Sequence, residues 1–239
     1  MMSADRIENR VLRHLARMSP VVHGELTAQL EPIVLERGGV LGIARKRTEW
    51  IYFLESGVVS LIASTRSGNS LEVAVVGREG VAGIADALGQ HPLPYGWVVQ
   101  LSGIAYRAPT HVVRDHIFSC SALHELLMAY SQLMMHQLAQ SAVCNRFHTS
   151  VQRLSRWLLL TAERAGTTRF ELTHEFVGQM VGAPRSAVSQ AAATLRRQGI
   201  IDYRRGVMTI RNASRLKTTA CECFDAVSNA GTLNRDTQD

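Results

Sequence analysis

The chain has 239 residues, 46% of them hydrophobic and 19% charged, and a net charge of +6. That length favours two modest domains over one, and the ordinary composition excludes a long disordered or fibrous chain. No stretch approaches the ~18 consecutive apolar residues of a membrane span, and the first thirty residues lack the unbroken apolar run of a secretory signal, so neither insertion nor export is expected. Four cysteines, Cys120, Cys144, Cys221 and Cys223, are too few for a disulfide framework and fit a reducing cytoplasm.

At the N-terminus, Ile7, Val11, Leu12 and Leu15 recur at helical spacing, which predicts a short amphipathic helix over Arg6 to Arg17. From about Val21 to Ala108 short apolar stretches such as Ile51–Leu54, Val58–Ile62 and Val73–Val76 alternate with turn residues, the texture of a small β-roll. Glu55-Ser56-Gly57, Ser67-Gly68-Asn69 and Gly77–Gly80 supply the glycines and the asparagine that tight hairpins need. The Arg45-Lys46-Arg47 run reads as a solvated hairpin tip.

Ser121 to Phe147 contains no Gly or Pro and is rich in Ala, Leu, Met and Gln, which predicts one long helix. Leu123, Leu127, Tyr130, Met134, Gln137, Ser141 and Cys144 alternate spacings of four and three, the pattern of a two-stranded coiled-coil seam, and are the expected dimer interface. Leu126, Leu133, Leu138 and Val143 lie on another side and would dock on the β-roll. Thr149 or Ser150 would cap the next helix, through Trp157 to Ala165, before Gly166-Thr167-Thr168 breaks it.

Charge is distributed unevenly. Residues 1–148 carry 13 Lys/Arg and 12 Asp/Glu; residues 149–217 carry 12 basic residues against four acids; the tail from 218 has one Arg against four acids. A compact arginine-rich segment is the footprint of a polyanion partner, a solvated basic surface being the plain alternative.

Within that segment Thr173 caps a predicted helix over His174–Val181, Gly182-Ala183 turns the chain, and Pro184 is suited to a first helical position. In the second helix Val188, Ala191, Ala192 and Leu195 share one face, while Arg185, Ser186, Ser189 and Gln190 share the opposite one. Gly199 closes it. Ile200 to Ile210 then reads as a hairpin with Arg204-Arg205-Gly206 at its tip. Two helices joined by a short glycine turn, followed by a basic hairpin, form a winged helix-turn-helix whose second helix enters the major groove. Arg185, Ser186, Ser189 and Gln190 are expected to read bases, and Thr173, Arg196, Arg197, Arg204 and Arg205 to contact phosphates.

Leu172-Thr173-x-Glu175-x-x-Gly178-x-Met180-Val181-Gly182 and Arg185-x-x-Val188-Ser189 resemble the Crp/Fnr family of bacterial regulators. So do Phe53–Leu61 and Val75–Gly83, which are similar to strands of the family's β-roll. Within the family the chain looks most like a branch with an Ala142-x-Cys144-Asn145-Arg146 segment and a Cys-x-Cys near the end. The resemblance implies an α+β chain. Its parts are an N-terminal cyclic-nucleotide-binding-like β-roll (a jelly roll), a long dimerisation helix and a C-terminal winged helix-turn-helix. The boundaries expected are 1–120 for an effector-type domain, 121–148 for the helix, 149–217 for DNA binding and 218–239 for a tail.

The resemblance also marks where the chain departs from cyclic-nucleotide binders. Their phosphate cassette places a Glu and an Arg-Ser or Arg-Thr pair where this chain has Ile84, Pro94 and Tyr95, with Gly83 on the cassette glycine. Cyclic AMP binding in the usual way is therefore not expected. Gly83, Ile84, His91, Tyr95 and Trp97 remain candidates for an altered effector pocket, and a packed loop is the alternative. No cysteine precedes Cys120, so the N-terminal iron–sulfur sensor of other members is excluded. Cys221-x-Cys223 alone lacks the four ligands of structural zinc and reads as ordinary thiols, so no metal or other cofactor is expected.

The expected function is that of a homodimeric, sequence-specific transcription regulator, activator or repressor. Its partners would be double-stranded DNA, an unidentified small-molecule effector or none, and RNA polymerase. A signalling module whose basic domain contacts protein is the second reading. An enzyme ranks third, because no nucleophile–base arrangement, phosphate-cradling loop or metal triad is visible.

Overall fold

A computed structural model describes residues 7–89 and 91–230. Two helices, α1 (Arg10–Met18) and α2 (Pro20–Thr27), precede eight strands: β1 (Glu31–Leu35), β2 (Val40–Gly42), β3 (Trp50–Leu54), β4 (Val58–Ser64), β5 (Ser70–Val76), β6 (Val81–Ala82), β7 (Tyr95–Leu101) and β8 (Gly103–Pro109). A short α3 (Ile84–Leu88) separates β6 from β7. Then come α4 (Thr110–Ser119), α5 (Ser121–Phe147), α6 (Ser150–Ala165), β9 (Arg169–Glu171), α7 (His174–Val181), α8 (Arg185–Arg197), β10 (Ile201–Arg204), β11 (Val207–Ile210), α9 (Ala213–Thr219) and α10 (Cys223–Ala230).

The first eight strands make two four-stranded sheets, ordered β1-β8-β3-β6 and β2-β7-β4-β5, which is the expected β-roll. β3 pairs antiparallel with β8, Tyr52 opposite Arg107 and Phe53 opposite Tyr106, and its Ile51, Phe53 and Leu54 are fully buried. Asn9 explains where α1 begins. Its Oδ1 accepts the Leu12 N–H at 3.1 Å, and its Nδ2 donates to the Leu54 and Gly80 carbonyls at 2.9 and 2.8 Å, which fixes the helix to the roll. The helix starts at Arg10, not Arg6, which itself lies outside the described residues; Val11, Leu12 and Leu15 are buried as expected. Residues from Val21, expected to open the β texture, instead continue α2, because Pro20 takes a first helical position there. α4 was also not foreseen.

Within the described residues, contacts divide the chain into two compact units. One is built from residues up to Leu61 together with Val75–Met134; the other is built from Ile62–Ala74 and the residues from Met135 on. Thus α5 contributes to both, where a separate helix at 121–148 was expected. Within residues 218–230 of the expected tail, α10 packs on α6 and buries Cys223 and Val227. The remainder of that expected tail lies outside the described residues.

The expected seam of α5 requires correction. Leu123, Leu127, Tyr130, Met134, Gln137, Ser141 and Cys144 are all buried within the single chain, 9% exposed at most, and Tyr130 fills the space that a Cβ on Gly80 would need. A second row with the same four–three spacing faces outward: Met128, Gln132, Met135, Ala139 and Ala142, with Val143 and Phe147 beside it. Met135 is 68% exposed and Phe147 72%. Leu126 is buried as foreseen, whereas Val143 belongs to the exposed face. A heptad pattern gives a spacing but not the side that docks internally.

Candidate nucleic-acid interface

The helix-turn-helix is held by local bonds. Thr149 and Gln152 form a capping box at the start of α6, and Thr173 Oγ1 accepts the Phe176 N–H at 3.2 Å to cap α7. α7 ends at Gly182 with φ +61°, a conformation that favours glycine. The Ala183 N–H donates to the Gly178 carbonyl at 3.0 Å, and a Cβ on Gly178 would stand 2.9 Å from the Ala183 oxygen, so only glycine fits the turn without a shift. Arg153 extends its Nη1 to the Gly182 carbonyl and to Asn145 Oδ1, at 3.4 and 3.3 Å, binding the turn to α5 and α6. Pro184 stands one position earlier than expected. It is the N-cap, with ψ 146°, and Arg185 opens α8.

α8 buries Val188, Ala191, Ala192 and Leu195, as its spacing demands. On the other side Arg185, Ser186 and Gln190 are exposed and Ser189 half-buried. All four candidate base readers therefore lie in the first half of one helix and share its outer face. An open groove of about 800 Å³ runs beside them, lined by Arg185, Gln179, Glu175 and the β4–β5 hairpin residues 63–65 and 68–71.

β10 and β11 form the wing, paired Ile201 to Ile210 through Arg204 to Val207, with β9 on the far side of β11. Arg205 and Gly206 make its tip with φ +50° and +79°, the two positive values of a type I′ turn. Tyr203 Oη donates to the Leu172 carbonyl at 3.1 Å and anchors the base of the wing. The guanidiniums do not simply point outward. Arg204 meets Asp202 at 3.2 Å, Arg211 meets it at 3.4 Å and Arg196 at 3.8 Å. Although partial desolvation works the other way, Arg204, then Arg211, the Tyr203 backbone and Arg196 hold the Asp202 carboxyl below its ordinary range. Two of the expected phosphate contacts, Arg196 and Arg204, thus share one carboxylate. Exposed ion pairs are weak in water, so Asp202 orders these arginines without locking them. Arg197 donates to Thr194 Oγ1 at 3.2 Å, and Arg205 is exposed at the tip.

Nine of the twelve basic residues at 149–217 are exposed; Arg156 and Arg164 are buried and Arg153 half-buried. The charge presented to solvent is smaller than the sequence sum, and it concentrates on β9, α8, the wing and α9.

In the β-roll the candidate effector residues only partly converge. Gly83, with φ +87°, caps α3, Ile84 is buried, and Tyr95 meets Trp97 edge to face at 6.0 Å. His91 is exposed. Polar groups around α3 pair with one another in part, Asp86 Oδ1 being buried without a hydrogen-bond partner. Asp86 Oδ2 accepts the Thr48 N–H at 3.0 Å, while Arg114 and Arg47 donate to the Asp86 carbonyl at 2.6 and 3.1 Å. Burial, and then Asp86, push the Tyr95 phenol up. Arg45, Lys46 and Arg47 are exposed as expected, but the Arg47 guanidinium is also tied to α3 through the Asp86 and Gly89 carbonyls. The expectation of no metal site meets a different cluster, Cys144, His148, Cys221 and Cys223, whose ligand atoms all lie within 4.8 Å of one another. The sequence signal that went unread is Cys144-x-x-x-His148, an i,i+4 pair at a helix end.

Residues 152–219 match the Crp-like helix-turn-helix domain. The chain therefore carries a Crp-like helix-turn-helix domain. FixK2 from Bradyrhizobium japonicum shares the fold, with a TM-score of 0.69 at 15% identity over 80% of this chain and 98% of that one. A protein from Eubacterium rectale assigned to the Crp/Fnr family gives 0.66 at 12% over 86% and 96%. The c-di-GMP-responsive regulator CLP of Xanthomonas campestris gives 0.65 at 12% over 80% and 99%. No curated protein matches the sequence. No helix among the described residues is long and apolar enough to cross a membrane.

Proposed function

We propose that this chain is a transcription regulator of the Crp/Fnr type, acting as a homodimer that reads a two-fold symmetric DNA site through α8, with its β-roll answering to an effector other than a cyclic nucleotide, or to none. The observation that carries this reading is the outer face of α8, where Arg185, Ser186 and Gln190 are exposed in the helix half that reaches base edges. A guanidinium at Arg185 spans O6 and N7 of guanine, and Gln190 suits adenine. Thr173, Arg196, Arg197, Arg204 and Arg205 would grip phosphates, with Arg196 and Arg204 leaving Asp202 to do so. Two half-sites about one helical turn apart need two recognition helices fixed by symmetry. The exposed row Met128, Met135, Val143 and Phe147 on α5 is the surface we assign to the second copy. Contact with RNA polymerase belongs to the same reading, as does division into 1–120, 121–148 and 149–217, with α10 now joined to the last.

Selection of bound sites from random DNA, run on the wild type and Arg185→Ala, tests it. The expected motif is palindromic with at least one guanine per half-site. The variant should lose about 1–3 kcal/mol per half-site and relax selectivity at one base pair. An identical motif bound uniformly more weakly would make Arg185 a phosphate contact, and no enriched motif would favour a protein partner for the basic domain.

A further inference from the structure

DNA reading leaves one group of side chains unused. Cys144 lies in the last turn of α5, and His148 follows one turn later, its N–H donating to the Cys144 carbonyl at 3.2 Å, so helical pitch puts both on one face. Cys221 lies between α9 and α10, and Cys223, on the other side of Glu222, opens α10. Folding brings the pairs together. Cys144 Sγ is 3.6 Å from Cys221 Sγ, and Cys223 Sγ is 3.5 Å from His148 Nδ1. The three thiols are free and buried, and the imidazole is 11% exposed.

We propose that Cys144, His148, Cys221 and Cys223 form a structural zinc site, a tetrahedral centre of three thiolates and one imidazole. Zinc–sulfur bonds of about 2.3 Å give a tetrahedron with sulfur–sulfur edges of about 3.8 Å, close to the separations found here. Iron–sulfur clusters spread their protein ligands over several irons, whereas four ligand atoms within 4.8 Å converge on one ion. The surrounding groups suit a metal centre too. His148 turns Nδ1 to the sulfurs while its Nε2 meets Glu222 Oε1 at 3.3 Å, the carboxylate–histidine relay that orients a metal-bound imidazole. Gln140 Nε2 donates to Cys223 Sγ at 2.9 Å. Three thiolates on a dication leave one negative charge, and Arg156 on α6 is a buried cation whose Nε has no hydrogen-bond partner. Metal uptake is redox-neutral: each ligating thiol releases its proton to solvent as its sulfur bonds the ion.

The placement gives the site its use. Residues 149–220, between the two ligand pairs, contain the helix-turn-helix and its wing, so one ion closes the chain around the whole DNA-binding domain and ties it to the end of α5. Closing so long a loop removes many unfolded conformations. Loss of the ion should loosen the recognition helix's mounting without touching any base-reading side chain.

The test uses the full-length protein purified under reducing conditions. Elemental analysis is expected to find one zinc per chain, and cobalt exchange to give the intense visible bands and thiolate charge transfer of a tetrahedral sulfur-rich site. Cys144→Ser and Cys223→Ser should lose the metal, Glu222→Gln should weaken its retention against a competing chelator by about 10–100-fold, and Cys120→Ser should keep a full complement. Zinc far below one per chain with no cobalt spectrum in the wild type would overturn the proposal. A Cys144–Cys221 disulfide as the stable form, or equal metal loss in Cys120→Ser, would do so as well. Because the cobalt spectrum is read on the wild type, misfolding of a cysteine variant does not decide the matter.

Discussion

Polar side chains face inward in the β-roll and outward on the recognition helix. Asn9, Ser60, Asp86 and Gln100 are buried; Ser60 donates to Gln100 at 3.0 Å, Asp86 accepts from Thr48, and Asn9 holds two carbonyls. At the start of α8 Arg185, Ser186 and Gln190 are exposed. Buried polar groups contribute by being satisfied, and exposed ones by remaining available for a ligand. The same residue types therefore stabilise one region and equip the other. α5 repeats the contrast in apolar form, since its inner row builds the chain's own core and its outer row stays exposed, on the face proposed for the second copy.

The largest effect is expected where that apolar contrast is broken. Met128→Glu with Met135→Glu places carboxylates on the outer row of both copies. With each buried methionine worth about 1.5–3 kcal/mol, the pair should convert the dimer to folded monomer. Tyr130→Glu with Met134→Glu hits the inner row and should unfold the chain instead. Sedimentation together with circular dichroism separates the two outcomes. A variant at 128 and 135 that still sediments as a dimer would move the interface off this face.

Next in size is Asn9→Ala. It removes the α1 cap and leaves the Leu54 and Gly80 carbonyls without the Asn9 donor, for an expected loss of about 2–4 kcal/mol in chemical denaturation. The DNA motif selected by the variant should be unchanged, because the group acts inward. A changed motif would mean that this end of the roll feeds into base reading.

What the sequence made legible was local. The limits of α5, the caps at Thr149 and Thr173, the hairpin glycines and the buried face of α8 all follow from neighbours within four residues. What it hid depends on how elements pack and pair, often beyond that range. Two rows of α5 carry the same four–three spacing, and only the docked structure tells them apart. Val21 and Val22 suggested a strand, but Pro20 and packing made a helix. Asp202 draws on Arg196 and Arg211 from outside its hairpin, and Cys144 stands 77 residues from Cys221.

A smaller effect tests the wing. Arg204→Ala with Arg205→Ala should weaken every DNA sequence alike and lower the salt slope of log K by roughly one per lost phosphate contact in each half-site. Arg204 is paired with Asp202 in the free protein, so part of its attraction for phosphate offsets that lost partner. Asp202→Asn should accordingly strengthen binding slightly. An unchanged slope with an altered motif would assign base reading to the wing.

The smallest expected effect is none at all, and it bears on the inward half of the comparison. A cyclic phosphate needs a cation and hydrogen-bond donors in the roll, yet the cassette positions hold Ile84, which is buried, and Pro94, which offers neither. Nearby cations are engaged elsewhere. Arg47 and Arg114 donate to backbone carbonyls at the end of α3, at Asp86 and Gly89, and the Asp86 carboxylate beside Tyr95 would repel an anion. Entry of a phosphate would require those bonds to break and an apolar side chain to make way for charge, with no group positioned to repay the cost. Calorimetry with cyclic AMP and cyclic GMP should therefore give no saturable heat, and neither nucleotide should shift the thermal midpoint, since a ligand stabilises only by binding the folded state. Saturable binding at micromolar concentration would show that Arg47 or Arg114 can leave α3, and would make the roll's inward polar groups a switch where they are now read as structure.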